Sequence, residues 1–433
     1  MASPVKAFDM GRQYRFVVVL FCLLCFLFVP SQLRAVNCTK CGRECSLNPC
    51  AQADESQGTL SLAIDIFRRA AQATPENFVL SPDGLFQTLS LLLMGATDET
   101  RELLQKCLRE DYSEPTGATA PGATACGQDQ YCIANCLLLS NMHTLQETYK
   151  QRLEQINADI RDNVNFSDRA SLQSLAKELN HLFCQLTHGL VREFCKDDDW
   201  HSGTVMALIN SVYFKGLWEK PFRKRIGGGV FTLPDNQKVV LDGFMDGVIN
   251  GSQQAEYNGW IAVSVPYQGD HEMILILPPQ GIMPHEVSPE IIMALFSSLG
   301  SEELPVFSPT APIGVPTFSV DSDTNLINVL AQTTLQPLFT GALSLGSMLS
   351  NPVPLFIDVF NQHSVIEVDE QGTEAAAVTN VGFLTSTGGP KPVDFTRPFI
   401  YILRNKETGR IPFIGQVLDP RSSGAGASGS GGH

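Results

Sequence analysis

Between Ser364 and Thr379 the chain changes character in a way that few folds can use. Ser364-Val-Ile-Glu-Val368 is β-branched and apolar, the signature of a pleated segment. Gly372 follows, a residue free to adopt positive φ and so a natural hinge. Beyond it the side chains are small except for Glu374: Thr373, Ala375, Ala376, Ala377, Val378 and Thr379. At period two, Thr373, Ala375, Ala377 and Thr379 share one face, and Glu374, Ala376, Val378 and Asn380 share the other. Such a segment can enter a sheet as a new strand without clashes. Glu374 must then stay on the solvent face, which fixes the register. Glu and Ala are also strong helix formers, so an Ala-rich helix is the competing reading of these residues alone.

The 433 residues would allow two or three domains by length. No Pro/Gly/Ser-rich linker or internal repeat interrupts residues 58–420, so one large domain is expected there. A hydrophobic content of 43% is ample for its core. The net charge is −15, and the densest basic run is Arg223-Lys224-Arg225, which reads as a solvated turn. That balance argues against nucleic acid, and against polyanions such as heparin, as partners.

Residues 1–35 read as a secretory signal. Lys6, Arg12 and Arg15 precede an apolar run from Phe16 to Val29, and Leu33-Arg-Ala35 offers a cleavage site. The run falls short of the ~20 residues that span a bilayer, so cleavage is preferred to a retained anchor. Cys22 and Cys25 leave with the signal. The other cysteines are Cys38, Cys41, Cys45 and Cys50 near the new N-terminus, then Cys107, Cys126, Cys132 and Cys136, then Cys184 and Cys195. An even count in an exported chain argues for disulfides throughout, with their connectivity open. Cys38-x-x-Cys41 also has zinc-ligand spacing, and a zinc knot is the alternative for the first cluster. Asn37, Asn165 and Asn250 head glycosylation sequons, which agrees with export.

Residues 36–57 form a Cys-rich arm. Leu60, Leu62, Ala63, Ile66 and Phe67 make a helical stripe within Gly58 to Gln72. Ser81-Pro82 starts a second helix. Asp111 to Ala125 is a breaker-rich loop. The pattern predicts helix over 144–195, mostly strand over 205–278, and helix again over 319–339. Residues 421–433 are Gly/Ser-rich and expected to be disordered. No Gly-x-Ser-x-Gly elbow, His-Glu-x-x-His pair or Walker loop occurs, and His271-Glu272 lacks a second histidine. No catalytic residue, metal ligand or cofactor is therefore assigned.

Glu370-Gln-Gly-Thr-Glu-Ala-Ala-Ala377, with Asp394-Phe-Thr-Arg-Pro-Phe-Ile-Tyr-Ile402 and Gly415-Gln-Val-Leu-Asp-Pro420, resembles the reactive-loop region and C-terminal strands of the serpins. Asn77-Phe-Val-Leu-Ser-Pro-Asp-Gly84, Leu93-Met-Gly-Ala-Thr97 and Asn210-Ser-Val-Tyr-Phe-Lys-Gly-Leu-Trp218 are similar to other serpin signatures. So are Val265-Pro-Tyr-Gln-Gly269, Met273-Ile-Leu-Ile-Leu-Pro278 and Val315-Pro-Thr-Phe-Ser-Val320. Together, in family order, they cover roughly residues 58–420.

The resemblance implies an α+β fold of three β-sheets and about eight or nine helices, with a reactive-centre loop exposed between Gly372 and Pro392. It implies a monomeric suicide inhibitor: a serine protease attacks the loop, and the cleaved loop inserts into the main sheet and traps the acyl-enzyme. Glu370, Gly372, Thr373, Glu374, Ala375, Ala376 and Ala377 would be the hinge. Counting on from Glu370, as in most inhibitory relatives, puts the reactive bond at Ser386-Thr387. Counting back from Pro398 gives Thr387-Gly388. Either places a small residue in the protease pocket, which suits elastase-like or subtilisin-like enzymes. Ser81, Asn210, Trp218 and Gln362 fall at positions that control sheet opening. Gln362 stands where relatives often carry His, and Gly84 where they often carry Ser, so polar contacts are expected to be lost there. The alternative is a non-inhibitory serpin acting as a carrier or binding protein.

Overall fold

The computed structural model describes residues 55–108, 130–155, 158–187, 189, 193–250, 253–299, 310–340, 343–351, 355–373 and 392–422. The arm up to Asp54, the 111–125 insertion, the residues after Ser422 and the loop from Glu374 to Lys391 lie outside them.

Among the described residues, three sheets and a hairpin organise the fold. The main sheet runs in the order β13 (Phe318–Asn325), β14 (Val359–Val368), β4 (Met206–Leu217), β2 (Gln130–Ser140) and β3 (Asp159–Val164). The second runs β1 (Phe78–Leu80), β18 (Phe413–Val417), β17 (Phe399–Asn405), β11 (His271–Leu277), β10 (Trp260–Pro266), β9 (Gln254–Tyr257). The third runs β16 (Val393–Asp394), β12 (Thr310–Pro316), β8 (Phe244–Asn250), β5 (Arg223–Lys224), and β6 (Gly229–Thr232) pairs with β7 (Lys238–Leu241). The expected strand-rich stretch over 205–278 is therefore found.

The helices form where the apolar stripes and caps require them. In α1 (Glu55–Ala73), Ala63, Ile66, Phe67 and Ala70 are buried. In α2 (Pro82–Gly95), Pro occupies the first turn and the Ser81 side chain accepts from the Gly84 amide at 3.0 Å, the N-cap arrangement. Nearly every residue of α2 is buried, so it is a core helix rather than an amphipathic one. The others are α3 (Asp98–Cys107), α4 (Glu147–Gln155), α5 (Arg169–Leu186), α6 (Pro289–Ser298) and two short ones, α7 (Leu326–Leu330) and α8 (Pro337–Thr340). In α5, Leu172, Ala176, Leu179 and Phe183 recur at helical spacing and pack on Cys136, Leu138, Ala207 and Ile209 of the main sheet.

Two readings of the pattern are corrected. Residues 144–195 are not helical throughout, because β3 lies between α4 and α5. Its sequence is polar, Asp-Ile-Arg-Asp-Asn-Val, and the strand forms because it pairs in parallel with β2 at the sheet edge. Residues 319–339 begin as strand β13, where burial alternates at period two from Phe318 to Ser322, and only Leu326 starts a helix. Pairing with β14 overrides the helical pattern there.

Candidate functional site

The main sheet is parallel in two places, at its β2–β3 edge and at an inner seam. β13 and β2 are antiparallel to their inner neighbours, but β14 and β4 run parallel, from Val359↔Ala207 to Val365↔Tyr213. Parallel pairing is the weaker kind, and a strand of opposite direction placed between these two would be antiparallel to both. The chain leaving β14 has already made that reversal. After Asp369 it turns, and Gly372-Thr373, strand β15, pairs antiparallel with Leu217 and Gly216 of β4.

The turn is built from side chains the sequence places nearby. The Asp369 carboxylate accepts from the Gln371 amide at 2.8 Å and the Gly372 amide at 3.1 Å. Burial nonetheless lifts its pKa above the usual carboxylate range, against the effect of those amides. The Trp218 indole donates to the Asp369 carbonyl at 2.9 Å, the Trp218 amide to the Gln371 carbonyl at 2.9 Å, and the Phe222 amide to the Glu370 carbonyl at 2.7 Å. Gly372 has φ of 151°, and a Cβ there would lie 2.1 Å from the Gly216 carbonyl oxygen, so the hinge position accepts only glycine. Thr373 is 2% exposed, and its hydroxyl lies 2.9 Å from that of Tyr267, which stacks on Trp218 with centroids 4.2 Å apart.

Lower in the seam Ser81, Asn210 and Gln362 come together. The Gln362 amide group donates to the Ser81 carbonyl at 2.9 Å and to Asn210 Oδ1 at 2.8 Å, and its Oε1 accepts from the Ser81 amide at 2.7 Å. Asn210 donates to Asn135 Oδ1 at 2.8 Å, which also accepts from Thr88 at 2.5 Å. The network ties β14, β4 and β2 to α2. The expected loss of polar contacts is corrected: Gln362 makes three bonds, and Gly84 leaves the space that Asn210 fills. His363, beside it, points elsewhere. Its imidazole contacts Asp323 and lies 3.4 Å from Asp321, against the Phe194 ring.

Strand β16 is held by an ion pair. Arg225 places its guanidinium 2.6 Å from Asp246 and 2.9 Å from Asp394 of β16, over the Phe244 ring. The basic run is therefore not a solvated turn: Arg223 and Lys224 form β5, and Arg225 clasps β16 to β8.

Of the proposed hinge, Glu370, Gly372 and Thr373 are described, while Glu374, Ala375, Ala376 and Ala377 lie outside, as do Ser386, Thr387 and Gly388 of the two bond assignments. Asn37 also lies outside. Asn165 is exposed, and Asn250 ends β8. Tyr267, Asp369, Asn135, Thr88 and Arg225 were missed. Their partners are distant in sequence, and only the Asp-x-Gln-Gly turn composition of 369–372 hinted at one of them.

The cysteines depart from expectation. Cys132 is disulfide-bonded, but Cys107, Cys136, Cys184 and Cys195 are free thiols, so the cysteines are not disulfide-bonded throughout. Asn180 holds the backbone of Cys195 on both sides, at 2.7 Å to its amide and 2.8 Å to its carbonyl, and seats the thiol in the core beneath α5. Burial pushes the Cys136 and Cys195 thiols up, away from the reactive thiolate. Alkylation of denatured, unreduced protein should label Cys107, Cys136, Cys184 and Cys195 and spare Cys132, as peptide mass spectrometry would read.

The comparisons agree with this geometry. Mouse neuroserpin is 25% identical over 368 residues, spanning 80% of this chain and 87% of that protein. The native-state structure of tengpin, a thermophilic serpin, superposes with a TM-score of 0.70 at 21% identity, covering 87% of this chain and 96% of that one. Human thyroxine-binding globulin complexed with its ligand gives 0.68 at 18% identity, covering 85% and 98%. At such identity the two structures speak for the α+β fold alone. The family description "Serpin (serine protease inhibitor)" matches residues 57–420, most of the chain, and this protein belongs to the serpin family.

Proposed function

We propose that this serpin is a secreted suicide-substrate inhibitor of serine proteases. The observation that carries the reading is the reversal at Gly372, which leaves Thr373 already paired in the mouth of the parallel seam. The protease serine attacks the carbonyl of Ser386, forms an ester to it and releases a new amino terminus at Thr387. The freed strand continues the antiparallel pairing that Gly372 and Thr373 begin, carrying the acyl-enzyme with it. All the chemistry is the protease's, and the chain contributes geometry. Strand addition and loop insertion in serpins are standard cases of stored strain released.

A small residue at 386 directs the protein to elastase-like or subtilisin-like enzymes. The signal at 1–35, the arm at 36–57, a serpin domain at 58–420 and the tail at 421–433 are the proposed organisation, with the protein acting outside the cell as a monomer. Exposed Asn165 is accessible for a glycan.

Mixing the protein with elastase-, subtilisin-, chymotrypsin- and trypsin-like proteases tests this. A band resistant to SDS, near the sum of the two masses less the released fragment, is expected with the first two. Sequencing of that fragment should begin at Thr387. A start at Gly388 supports the other count. Cleavage with turnover by every protease would overturn the inhibitor reading in favour of a carrier or binding protein.

A further inference from the structure

We propose that Tyr267 is the latch that keeps the uncleaved hinge seated in the seam, so that its bond to Thr373 governs how far the loop reaches towards a protease. The consequence for inhibition rests on the reading above; the latch itself does not.

Three observations carry it. First, β15 is two residues long and, among the described residues, pairs with β4 alone. A ladder that short is marginal by itself, and the bonds from Trp218 and Phe222 hold the turn before it, so the side-chain bond is what holds Thr373 beyond the ladder. Second, the Tyr267 hydroxyl meets the Thr373 hydroxyl at 2.9 Å with both residues buried. Departure of the hinge would strand a phenol among Phe214 and Trp218, and an orphaned buried hydroxyl is costly. Third, Tyr267 cannot follow. Its ring is stacked on Trp218 and edge-on to Phe214 at 5.0 Å, and its amide donates to the His271 carbonyl at 3.0 Å. The adjacent Gln268 amide donates to the Leu217 carbonyl at 2.8 Å, so the latch is anchored to the strand the hinge pairs with.

Seating two residues withdraws about 7 Å of chain from the loop, at roughly 3.3 Å per residue. A latched loop is short and poised to insert. An unlatched one is longer and cut sooner, but it must make the first step of insertion after cleavage rather than before. Tyr267 is therefore a positioning residue that acts through Thr373.

Hydrogen–deuterium exchange of the full-length protein, read on peptides covering 369–373 and 216–218, tests the latch without reference to inhibition. Nicking of the loop at low enzyme ratio by a protease that forms no SDS-resistant adduct is the second readout. Tyr267→Phe keeps the stacked ring, and Thr373→Val keeps the shape. Each should speed exchange and nicking about three- to tenfold, the span of one net hydrogen bond. Thr373→Ser, which retains a hydroxyl, should stay near wild type, and the double variant Tyr267→Phe/Thr373→Val should exceed neither single one. Wild-type exchange in Tyr267→Phe, like behaviour of Thr373→Val and Thr373→Ser, or additive effects would each overturn the proposal. If the variants behave as expected while no protease forms an adduct, the latch stands and the inhibitor reading falls.

Discussion

Thr373→Arg should convert the protein from an inhibitor into a substrate. The loop will still be cut, but the stoichiometry of inhibition should rise at least about tenfold, the effect of ~1.4 kcal/mol on partitioning. Thr373 is 2% exposed and sits between Tyr267 and the end of β4. An arginine there would bring an unpaired charge into a site lined by Trp218, Phe214 and Tyr267, and burying it costs several kcal/mol even after relaxation. Insertion need not be abolished, only slowed below deacylation, and a penalty of that size is more than enough. Glu374→Arg is the matched control. Residue 374 is next in sequence and, at period two, belongs to the opposite face, where a charge already stands. It should inhibit nearly as well as wild type. Titration of residual protease activity against inhibitor reads both variants, and equal behaviour would defeat the alternation argument whatever the family.

The glycine turn at 372 was legible because its chemistry is local. Gly372 follows closely on a β-branched run, and the structure puts it in a conformation only glycine tolerates. Ser81-Pro82 was legible for the same reason, since a cap and its helix are neighbours. What went unread depends on contacts between distant segments. The pairing of Thr373 with Tyr267 spans 106 residues, and that of Gln362 with Ser81 spans 281. β3 is strand only because β2 offers it an edge, and β13 because β14 does. Arg225 looked like a surface charge because Asp394, its partner, is 169 residues away. The cysteine reading failed differently: an even count carries no geometry, and Asn180 draws Cys195 into the core while Cys184 stays on α5 outside that cluster.

Gly84→Ala should destabilise the native protein by about 2–4 kcal/mol, although alanine is the better helix former. Within α2 the propensity gain is at most about 1 kcal/mol. Against it stands a methyl group with nowhere to go. A Cβ at 84 would lie 2.6 Å from Asn210 Oδ1, 2.7 Å from Val212 Cγ2 and 3.0 Å from Ser81 Oγ. Val212 is fully buried on β4, and Ser81 caps the helix that carries Gly84, so neither can retreat cheaply. Asn210 would have to move, and its Oδ1 accepts the Gln362 bond that ties β14 to β4. Overpacking costs roughly 1–3 kcal/mol, and a buried amide left without its partner another 1–3, which together exceed the helix gain. The urea midpoint of the first unfolding transition should fall accordingly. Asn210→Ala removes the atom struck first, so in that background Gly84→Ala should cost clearly less than it does alone. Additive costs would mean that the strain runs through Val212 and Ser81 instead. In that case Gly84 makes room for the helix cap and the strand core, and the space it leaves has no bearing on how tightly the Asn210–Gln362 bond closes the seam.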